Sequence, residues 1–255
     1  MLAYILAIAA AVGVVALTAL LFRISKKGSD DAAPDGPSAG HAGAMLSALF
    51  LLVFAIAIIV PWTTADTARQ NTQAESQAAV DAYWSASGLP GTAPDTVRAG
   101  LRDYVSFVVR DEWPVLEQGR LDPVGSERLD SLRTRVTQLK VGDDAAKDAK
   151  DAVLEHIATL SAARAQRGVD AAATPPKGVL ILSIVTGLVV IVFPFLAGAR
   201  PRGLAILPLV AMAAMLGFGV YLTWDISHVF AGPLAVGPEA FKGALREFAR
   251  IAGGV

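Results

Sequence analysis

The chain has 255 residues, of which 54% are hydrophobic and 18% are charged. A soluble domain usually carries about 25% charged residues, so this deficit indicates a membrane protein. The net charge of -1 and the lack of a basic stripe with interleaved aromatic residues argue against nucleic acid as a partner. The absence of cysteine excludes disulfides, thiolate metal sites and cysteine nucleophiles.

The first apolar run covers residues 2–22 and contains no charged side chain. At a rise of about 1.5 Å per residue, a helix of this length would cross a hydrocarbon core about 30 Å thick. A cleaved signal peptide is the alternative, but its positive charges would precede the run, whereas Arg23, Lys26 and Lys27 follow it. We therefore predict a retained first span, followed by a flexible loop over residues 28–43, which is rich in Gly, Pro, Ser and Asp.

The second predicted span covers residues 44–62 and ends at Trp62, whose indole suits the headgroup layer. The chain then turns polar over residues 63–177, and the alanine- and glutamine-rich stretch 63–84 is predicted to continue the second span as one helix. Glycine and proline within residues 88–91 are expected to stop that helix. Because no alternating strand pattern appears, residues 63–177 are predicted to form a helical bundle domain.

The centre of that domain is an amphipathic stretch that leads to Glu112-Trp113-Pro114. Its apolar residues recur at helical spacing, and they are Val97, Leu101, Tyr104, Val105 and Val108. Pro114 is expected to end or bend this helix near Glu112-Trp113 because proline lacks the backbone N–H and crowds the preceding turn. Glu112 has two interpretations: part of a binding site, or a side chain that caps a helix end or pairs with a nearby arginine.

Two further helices are predicted in the same domain. A turn over residues 121–125 leads to Ser126, which is a good N-cap for a helix with an apolar stripe from Leu129 to Leu139. Asp143 and Asp144 are expected to open the next helix, because negative charge is favourable at a helix N-terminus. Its buried face is expected to hold Val153, Leu154, Ile157 and Leu160.

The C-terminal part repeats the pairing of apolar runs. Residues 178–199 and 204–224 are the third and fourth predicted spans, and an irregular tail leads to an amphipathic helix at residues 238–252. The apolar face of this last helix could lie along a membrane surface or pack on the protein's own bundle. That face contains Phe241, Leu245, Phe248 and Ile251.

The positive charges in the short loops predict the orientation. They lie between spans one and two and between spans three and four, at Arg23, Lys26, Lys27, Arg200 and Arg202. Both loops are therefore expected in the cytoplasm. We predict a multi-pass protein of the cell membrane whose bundle domain is extracytoplasmic.

No catalytic or metal motif is present in the sequence. His41, His156 and His228 lie apart, without zinc-ligand spacing, and no nucleophile elbow, phosphate loop or dinucleotide fingerprint occurs. We therefore expect neither an enzyme nor a bound cofactor or metal ion.

The predicted spans contain no ionisable side chain, which argues against a proton-coupled transporter but leaves a channel open. Hydroxyl groups are the polar side chains that could line a pore there. Serine and threonine in spans more often hydrogen-bond to their own helix backbone. The candidate lining residues are Thr18, Ser47, Ser183 and Thr186.

The layout and several short motifs resemble the bestrophin-like family of bacterial membrane proteins. The most specific match is Glu112-Trp113-Pro114 with Tyr104 before it. Other positions that match the family pattern are Trp62, Glu75, Arg164, Arg167 and Asp225. The tail departs from the family pattern, since His228-Val229-Phe230 stands where a proline-phenylalanine pair is usual.

The resemblance implies a multi-pass membrane protein related to bestrophins, which are pentameric anion channels with four spans per subunit. The predicted fold is all-α: an integral membrane protein with four transmembrane helices and a helical-bundle insert between spans two and three. One hypothesis is a protein that forms homo-oligomers in the lipid bilayer and conducts an anion. The other is a structural protein whose bundle domain binds an envelope or membrane partner.

Overall fold

The computed structural model describes residues 37–173, 177–196 and 207–253, and within these ranges the chain forms helices and no strands. Seven helices are labelled here in chain order. They are α1 Pro37–Ser85, α2 Ala93–Phe107, α3 Pro123–Thr137, α4 Asp144–Ala172, α5 Lys177–Leu196, α6 Leu207–Ile226 and α7 Glu239–Ala252.

Helix α1 is a single helix of 49 residues that joins the second apolar run to the polar domain. The predicted continuation through residues 63–84 is confirmed. The helix begins earlier than predicted, however, because residues 37–43 are helical and not part of a loop. Pro37 suits this start, since the first turn of a helix needs no backbone N–H from that residue.

The polar half of α1, residues 63–85, packs with α2, α4 and α7, and α3 packs on α2 and α4; these five helices form a helical bundle, which is called the bundle below. Each helix contributes one apolar stripe to a shared core. The stripe of α4 contains Val153, Ile157 and Leu160, all fully buried, whereas Leu154 packs at the edge of the core.

Helix α2 changes form before Pro114. The α-helix ends at Phe107 and is followed by a wider π-helical turn, Val108–Glu112, and a short helical turn, Trp113–Leu116. A wider turn accommodates the missing N–H and the bulk of the proline ring. The interruption predicted at Glu112-Trp113 is thus present, but it begins at Val108.

The predicted start of α3 at Ser126 is wrong. The helix begins at Pro123, and its cap is Asp122, whose carboxylate accepts a hydrogen bond from Val124 N at 2.9 Å. An aspartate cap followed by a proline at the first helical position is a stronger start signal than Ser126, four residues after that aspartate. The predicted opening of α4 is confirmed, because Asp143 accepts a hydrogen bond from Ala146 N at 2.7 Å.

Helix α7 packs on the bundle, so the second of its two predicted arrangements is the one observed. Phe241 and Phe248 are fully buried, and Phe248 stacks on Tyr83 of α1 with ring centroids 4.2 Å apart. Ile251 is also in the core, while Leu245 lies at its edge.

The apolar half of α1, residues 37–62, contacts α5 and α6. Helices α1 and α5 are long and apolar enough to cross a membrane, and only 11% of the most apolar stretch of each is buried. That low value distinguishes them from the core helix of a soluble protein. The first predicted span, residues 2–22, lies outside the described residues, as do residues 197–206 between α5 and α6.

Candidate functional site: a buried charge cluster

Four charged side chains and one tyrosine are buried together in the bundle. This charge cluster consists of Glu75, Tyr104, Glu112, Arg164 and Arg167, and none of the five is more than 2% exposed. Charged groups are rarely fully buried unless they are paired, because removing them from water is costly. The cluster is therefore the most unusual chemical feature of the described part of the chain.

Helical periodicity brings these side chains together. On α4 the apolar stripe Val153–Ile157–Leu160 continues at the same spacing into Arg164 and Arg167. Residues at this spacing share one helix face, so both arginines enter the core.

The two glutamates follow the same rule. On α1 the buried face that contains Ala68 and Thr72 continues to Glu75 and Ala79. Glu112 ends the π-helical turn one turn after the fully buried Val108. Each carboxylate is thus carried inward on a stripe that is otherwise apolar or small.

Arg167 and Glu75 form the centre of the cluster. Arg167 Nε donates to Glu75 Oε2 at 2.7 Å, and Nη2 donates to Glu75 Oε1 at 3.1 Å, a two-point arrangement that fixes both planes. The Tyr104 hydroxyl donates to Glu75 Oε1 at 2.8 Å. Glu75 therefore receives three hydrogen bonds in a site closed to solvent.

Glu112 connects the two arginines. Its Oε2 atom accepts from Arg167 Nη2 at 2.8 Å and also from Arg164 Nη1, while its Oε1 atom accepts from Asp122 N at 3.2 Å. Arg164 also donates to the Asp122 carbonyl and, from Nε at 3.3 Å, to Ser126 Oγ. The residue that was wrongly predicted to cap α3 thus contacts the charge cluster instead.

Two aromatic rings surround the Arg167 guanidinium. Its Cζ atom lies 5.6 Å from the centroid of Trp113 and 5.4 Å from that of Phe241, within the range of a cation–π interaction. Among the described residues, none accepts a hydrogen bond from Arg167 Nη1. These ring contacts connect α7 directly to the charge cluster.

The surroundings fix the protonation states of three members. Burial opposes the charge of both arginines, but the carboxylates outweigh it: the hydrogen bond to Glu112 raises the pKa of Arg164, and the Glu75 charge raises that of Arg167. Burial, and then the nearby Glu75 charge, raises the pKa of Tyr104 well above 10.0. Both arginines therefore stay charged and Tyr104 stays protonated at neutral pH.

With ionised carboxylates, the cluster has two positive and two negative charges and no net charge. Both carboxylates are occupied by donors from within the bundle, and solvent does not reach them. The arrangement is suited to fixing α1, the Glu112 turn and α4 relative to one another. A substrate would have to displace these internal bonds, which favours a structural role.

Of the remaining motif positions, Trp113 contacts the charge cluster through Arg167, and Trp62, Pro114 and Asp225 lie outside it. Trp62 is 57% exposed on α1, Pro114 is exposed, and Trp113 is buried and forms a T-shaped pair with Phe230, with ring centroids 5.7 Å apart. Asp225, near the end of α6, is buried beside Gly232. The tail position Asp225 therefore does not join the charge cluster.

Three of the candidate pore-lining residues can be placed, and Thr18 lies outside the described residues. Ser47 donates to Gly43 O at 2.9 Å, Ser183 to Val179 O at 2.9 Å, and Thr186 to Leu182 O at 2.7 Å. Each hydroxyl proton is thus used within its own helix. Only Ser47 is well exposed, while Ser183 is buried and Thr186 is half-buried.

The structure adds partners that the sequence did not single out. Asp122 and Ser126 hold Arg164, and Phe241 covers Arg167 from a helix more than seventy residues away in the chain. The signal in the sequence that could have indicated these buried residues is a charged side chain at a position that continues an apolar stripe, as at Arg164 and Arg167. A stripe shows that a side chain is buried, but it does not identify the opposite helix.

A metal site is not found in the part of the chain that the structure describes, where no three His, Asp or Glu side chains are grouped to hold an ion. A surface cleft of about 920 Å³ lies between the polar half of α1 and residues 235–240. Polar, uncharged side chains line much of it, among them Gln70, Gln73 and Gln77.

Comparison with known proteins gives a family but no individual relative. No curated protein and no solved structure was found to match the chain. The family model of the Bestrophin-like domain matches residues 8–241, which is nearly the whole sequence and includes every member of the charge cluster. The chain therefore belongs to the Bestrophin-like domain family.

Proposed function

We propose that the protein is a multi-pass protein of the cell membrane whose bundle is an extracytoplasmic interaction module. Its four spans are residues 2–22, 44–62, 178–199 and 204–224, and the bundle binds an envelope or membrane partner. Two exposed apolar helices, the apolar sequence runs and the charge bias of the loops support this assignment.

The observation that carries the proposal is the continuous helix that joins the apolar run 44–62 to the bundle, with Pro61 at the junction. Helix α1 passes without a break from its apolar half into the bundle, where Arg167 holds Glu75 from α4. A helix rises about 1.5 Å per residue, so the charge cluster lies roughly 20 Å beyond Trp62. An interaction surface on such a bundle would be connected to the membrane through this one helix and held at a set distance from it.

An exposed aromatic residue gives this surface a first candidate position. Trp84 lies near the end of α1 that is distant from the apolar half, and it is 47% exposed. Tryptophan is enriched at the centres of protein interfaces, where its large ring fills a pocket of the partner. Arg250 of α7 lies 6.0 Å from its ring centroid, so two helices contribute to the same surface.

A self-associating anion channel is the second candidate, and membership of the Bestrophin-like domain family favours it. Anions in a pore need hydrogen-bond donors or positive charge. The hydroxyl groups of Ser47, Ser183 and Thr186 donate hydrogen bonds within their own helices. They therefore present only oxygen lone pairs to an anion. A pore would therefore have to use residues outside the described ranges or surfaces between subunits.

Membrane insertion and orientation can be tested first. Enzyme reporters that are active on only one side of the membrane would be inserted at residue 36 and at Gly142. Gly142 is exposed in the loop before α4, whereas Gly125 is buried against Arg164 and an insertion there would disrupt the bundle. We expect a cytoplasmic signal at residue 36 and an extracytoplasmic signal at Gly142; the reverse pattern would refute the predicted orientation.

Photo-crosslinking separates the two candidate functions. A photoreactive phenylalanine would replace Trp84, and the same group at exposed Thr134 would be the control. A discrete adduct with a different membrane protein at residue 84 alone would support an interaction module. Adducts between copies of the chain only, together with chloride flux in liposomes of purified protein, would favour the channel.

A further inference from the structure

The connection between α6 and α7 contains an unusually apolar segment. Residues 229–238 contain no side chain with a polar group. Val229, Phe230 and Val236 are buried in the bundle, but Gly232, Pro233 and Leu234 are exposed at the turn, with Leu234 50% exposed. This exposed part is called the apolar turn below.

Backbone hydrogen bonds hold the apolar turn in one shape. Val236 N donates to Val229 O at 2.8 Å, and Ala235 N donates to Gly232 O at 3.3 Å. Gly232 has a φ of 101°, and a Cβ atom there would collide with the buried Asp225 carboxylate, so glycine is required. Leu234 is therefore exposed on a fixed turn.

The apolar turn lies beside the end of the second span. Leu234, Ile226 and Trp62 line one small cleft, together with Ala65, Asp66 and Arg69. Trp62 is 57% exposed, and Trp224, two residues before the end of α6, is 49% exposed, as is typical of indoles in the headgroup layer. Asp66 and Arg69, one and two turns beyond Trp62, are each 51% exposed, and exposed charged side chains favour water over lipid at this level.

Lipid explains this exposed surface better than a protein partner does. The apolar turn exposes one large side chain, Leu234. The area that one leucine can bury is far smaller than the area of a stable protein interface. The apolar turn is continuous with the apolar surface of α1 and α6, so the same bilayer could cover both. An apolar side chain beside interfacial indoles is a common membrane contact.

We propose that the apolar turn inserts into the interfacial layer of the bilayer, with Leu234 in contact with lipid. This inference rests on the proposed membrane insertion of α1. It makes the turn a third point of contact between bundle and bilayer, in addition to the helices that enter the membrane.

The absence of cysteine allows a direct test with single-cysteine variants of the full chain. The variants Leu234→Cys, Leu52→Cys and Thr134→Cys would each be labelled with an environment-sensitive fluorophore. Leu52 is exposed on the apolar half of α1, and Thr134 is exposed on α3 near the end of the bundle distant from the membrane. Each labelled protein would be placed in phosphatidylcholine–phosphatidylglycerol vesicles, with and without nitroxide-labelled acyl chains.

The expected result is lipid-dependent quenching at residues 52 and 234, several times stronger than at residue 134. Quenching at residue 52 without quenching at residue 234 would overturn the apolar-turn proposal and leave the membrane assignment intact. A water-shielded label at 234 that nitroxide lipids do not quench would also overturn it, since protein would then cover the turn. If residue 52 is not quenched either, the membrane assignment fails as well.

Discussion

Glu75 combines complete burial with three internal hydrogen bonds, and this makes its charge important for stability. Replacing one member of a buried ion pair leaves an unpaired charge, which typically costs about 3–5 kcal/mol. We expect Glu75→Gln to lower the free energy of unfolding by about that amount. Thermal unfolding of the purified protein in detergent, followed by circular dichroism, would measure the change.

The matched control is Asp103→Asn. Asp103 also pairs with an arginine, Arg128, but its side chain is 67% exposed. Exposed pairs contribute less than about 1 kcal/mol, so this variant should unfold close to the wild-type temperature. Equal shifts for the two variants would contradict the structural role of the charge cluster.

We predict that the protein loses stability at high pH because Tyr104 is buried with its proton in place. Burial raises the pKa of Tyr104 above the ordinary value of 10.0, so above that pH the unfolded chain loses this proton while the folded chain retains it. The unfolded state then binds fewer protons, and the free energy of unfolding falls as pH rises. The contribution of Tyr104 is complete below about pH 10 and is lost above it.

Urea unfolding of wild type and Tyr104→Phe at a series of alkaline pH values would test this. The wild type should lose stability more steeply than the variant above about pH 10, since phenylalanine has no proton to lose. Other titrating groups affect both proteins alike and cancel in the difference. Parallel curves would show that Tyr104 ionises as readily in the folded chain as in the unfolded one.

Sequence patterns could predict the burial of these residues but not their pairing. Arg164 and Arg167 continue the stripe of α4, and the same spacing places Glu75 inside on α1. The family resemblance named them without a role. Arg167 and Glu75 are 92 residues apart in sequence, and only the packing of α1 on α4 brings their atoms together.

At the scale of single elements, α3 approaches the charge cluster closely at Gly125. Alanine favours a helix over glycine by about 1 kcal/mol, but a Cβ atom at residue 125 would collide with the Arg164 guanidinium. Arg164 is held by Glu112, Asp122 and Ser126, so it cannot easily move aside. We expect Gly125→Ala to destabilise the bundle by about 1–3 kcal/mol, as overpacking does elsewhere.

Gly40→Ala is the control for this change. Gly40 is also helical, and nothing lies within 4 Å of a Cβ atom built there. Thermal unfolding in detergent should show a lower midpoint for Gly125→Ala and no decrease for Gly40→Ala. An increase at both positions would mean that helix propensity outweighs the contact with Arg164.

The sequence predicts some helix boundaries correctly and others incorrectly. Asp143 opens α4 as predicted because a carboxylate at an N-cap is a strong local signal. The start of α3 was misplaced because Asp122-Pro123 and Ser126 are both good start signals, and contact with Arg164 uses Ser126 elsewhere. For α7 the amphipathic pattern fitted two surfaces, and only tertiary packing distinguishes them.

At the scale of the whole molecule, the helices before and after α5 and α6 in sequence meet in one bundle. The first part of the chain supplies α1 to α4, and the last helix, α7, returns to fill the same core with Phe241 and Phe248. A chain divided between residues 173 and 177 should therefore reassemble in the membrane when both parts are co-expressed. Co-purification through a tag on the first part would measure this.

The variant Phe248→Ala in the second part provides the comparison. It removes the ring that stacks on Tyr83, and loss of a buried phenylalanine typically costs about 3–5 kcal/mol. Recovery of the second part should fall strongly. Unchanged recovery would mean that the spans alone hold the two parts together.

The length of α1 has a mechanical consequence. Its 49 residues extend about 73 Å, of which about 35 Å lie beyond Trp62. Apolar helices adjust to bilayer thickness by tilting, and a tilt of about 10° would displace Ser85 sideways by about 6 Å. A tilt that is transmitted past Pro61 would thus convert a change in lipid thickness into movement of the end of α1 that is distant from the membrane.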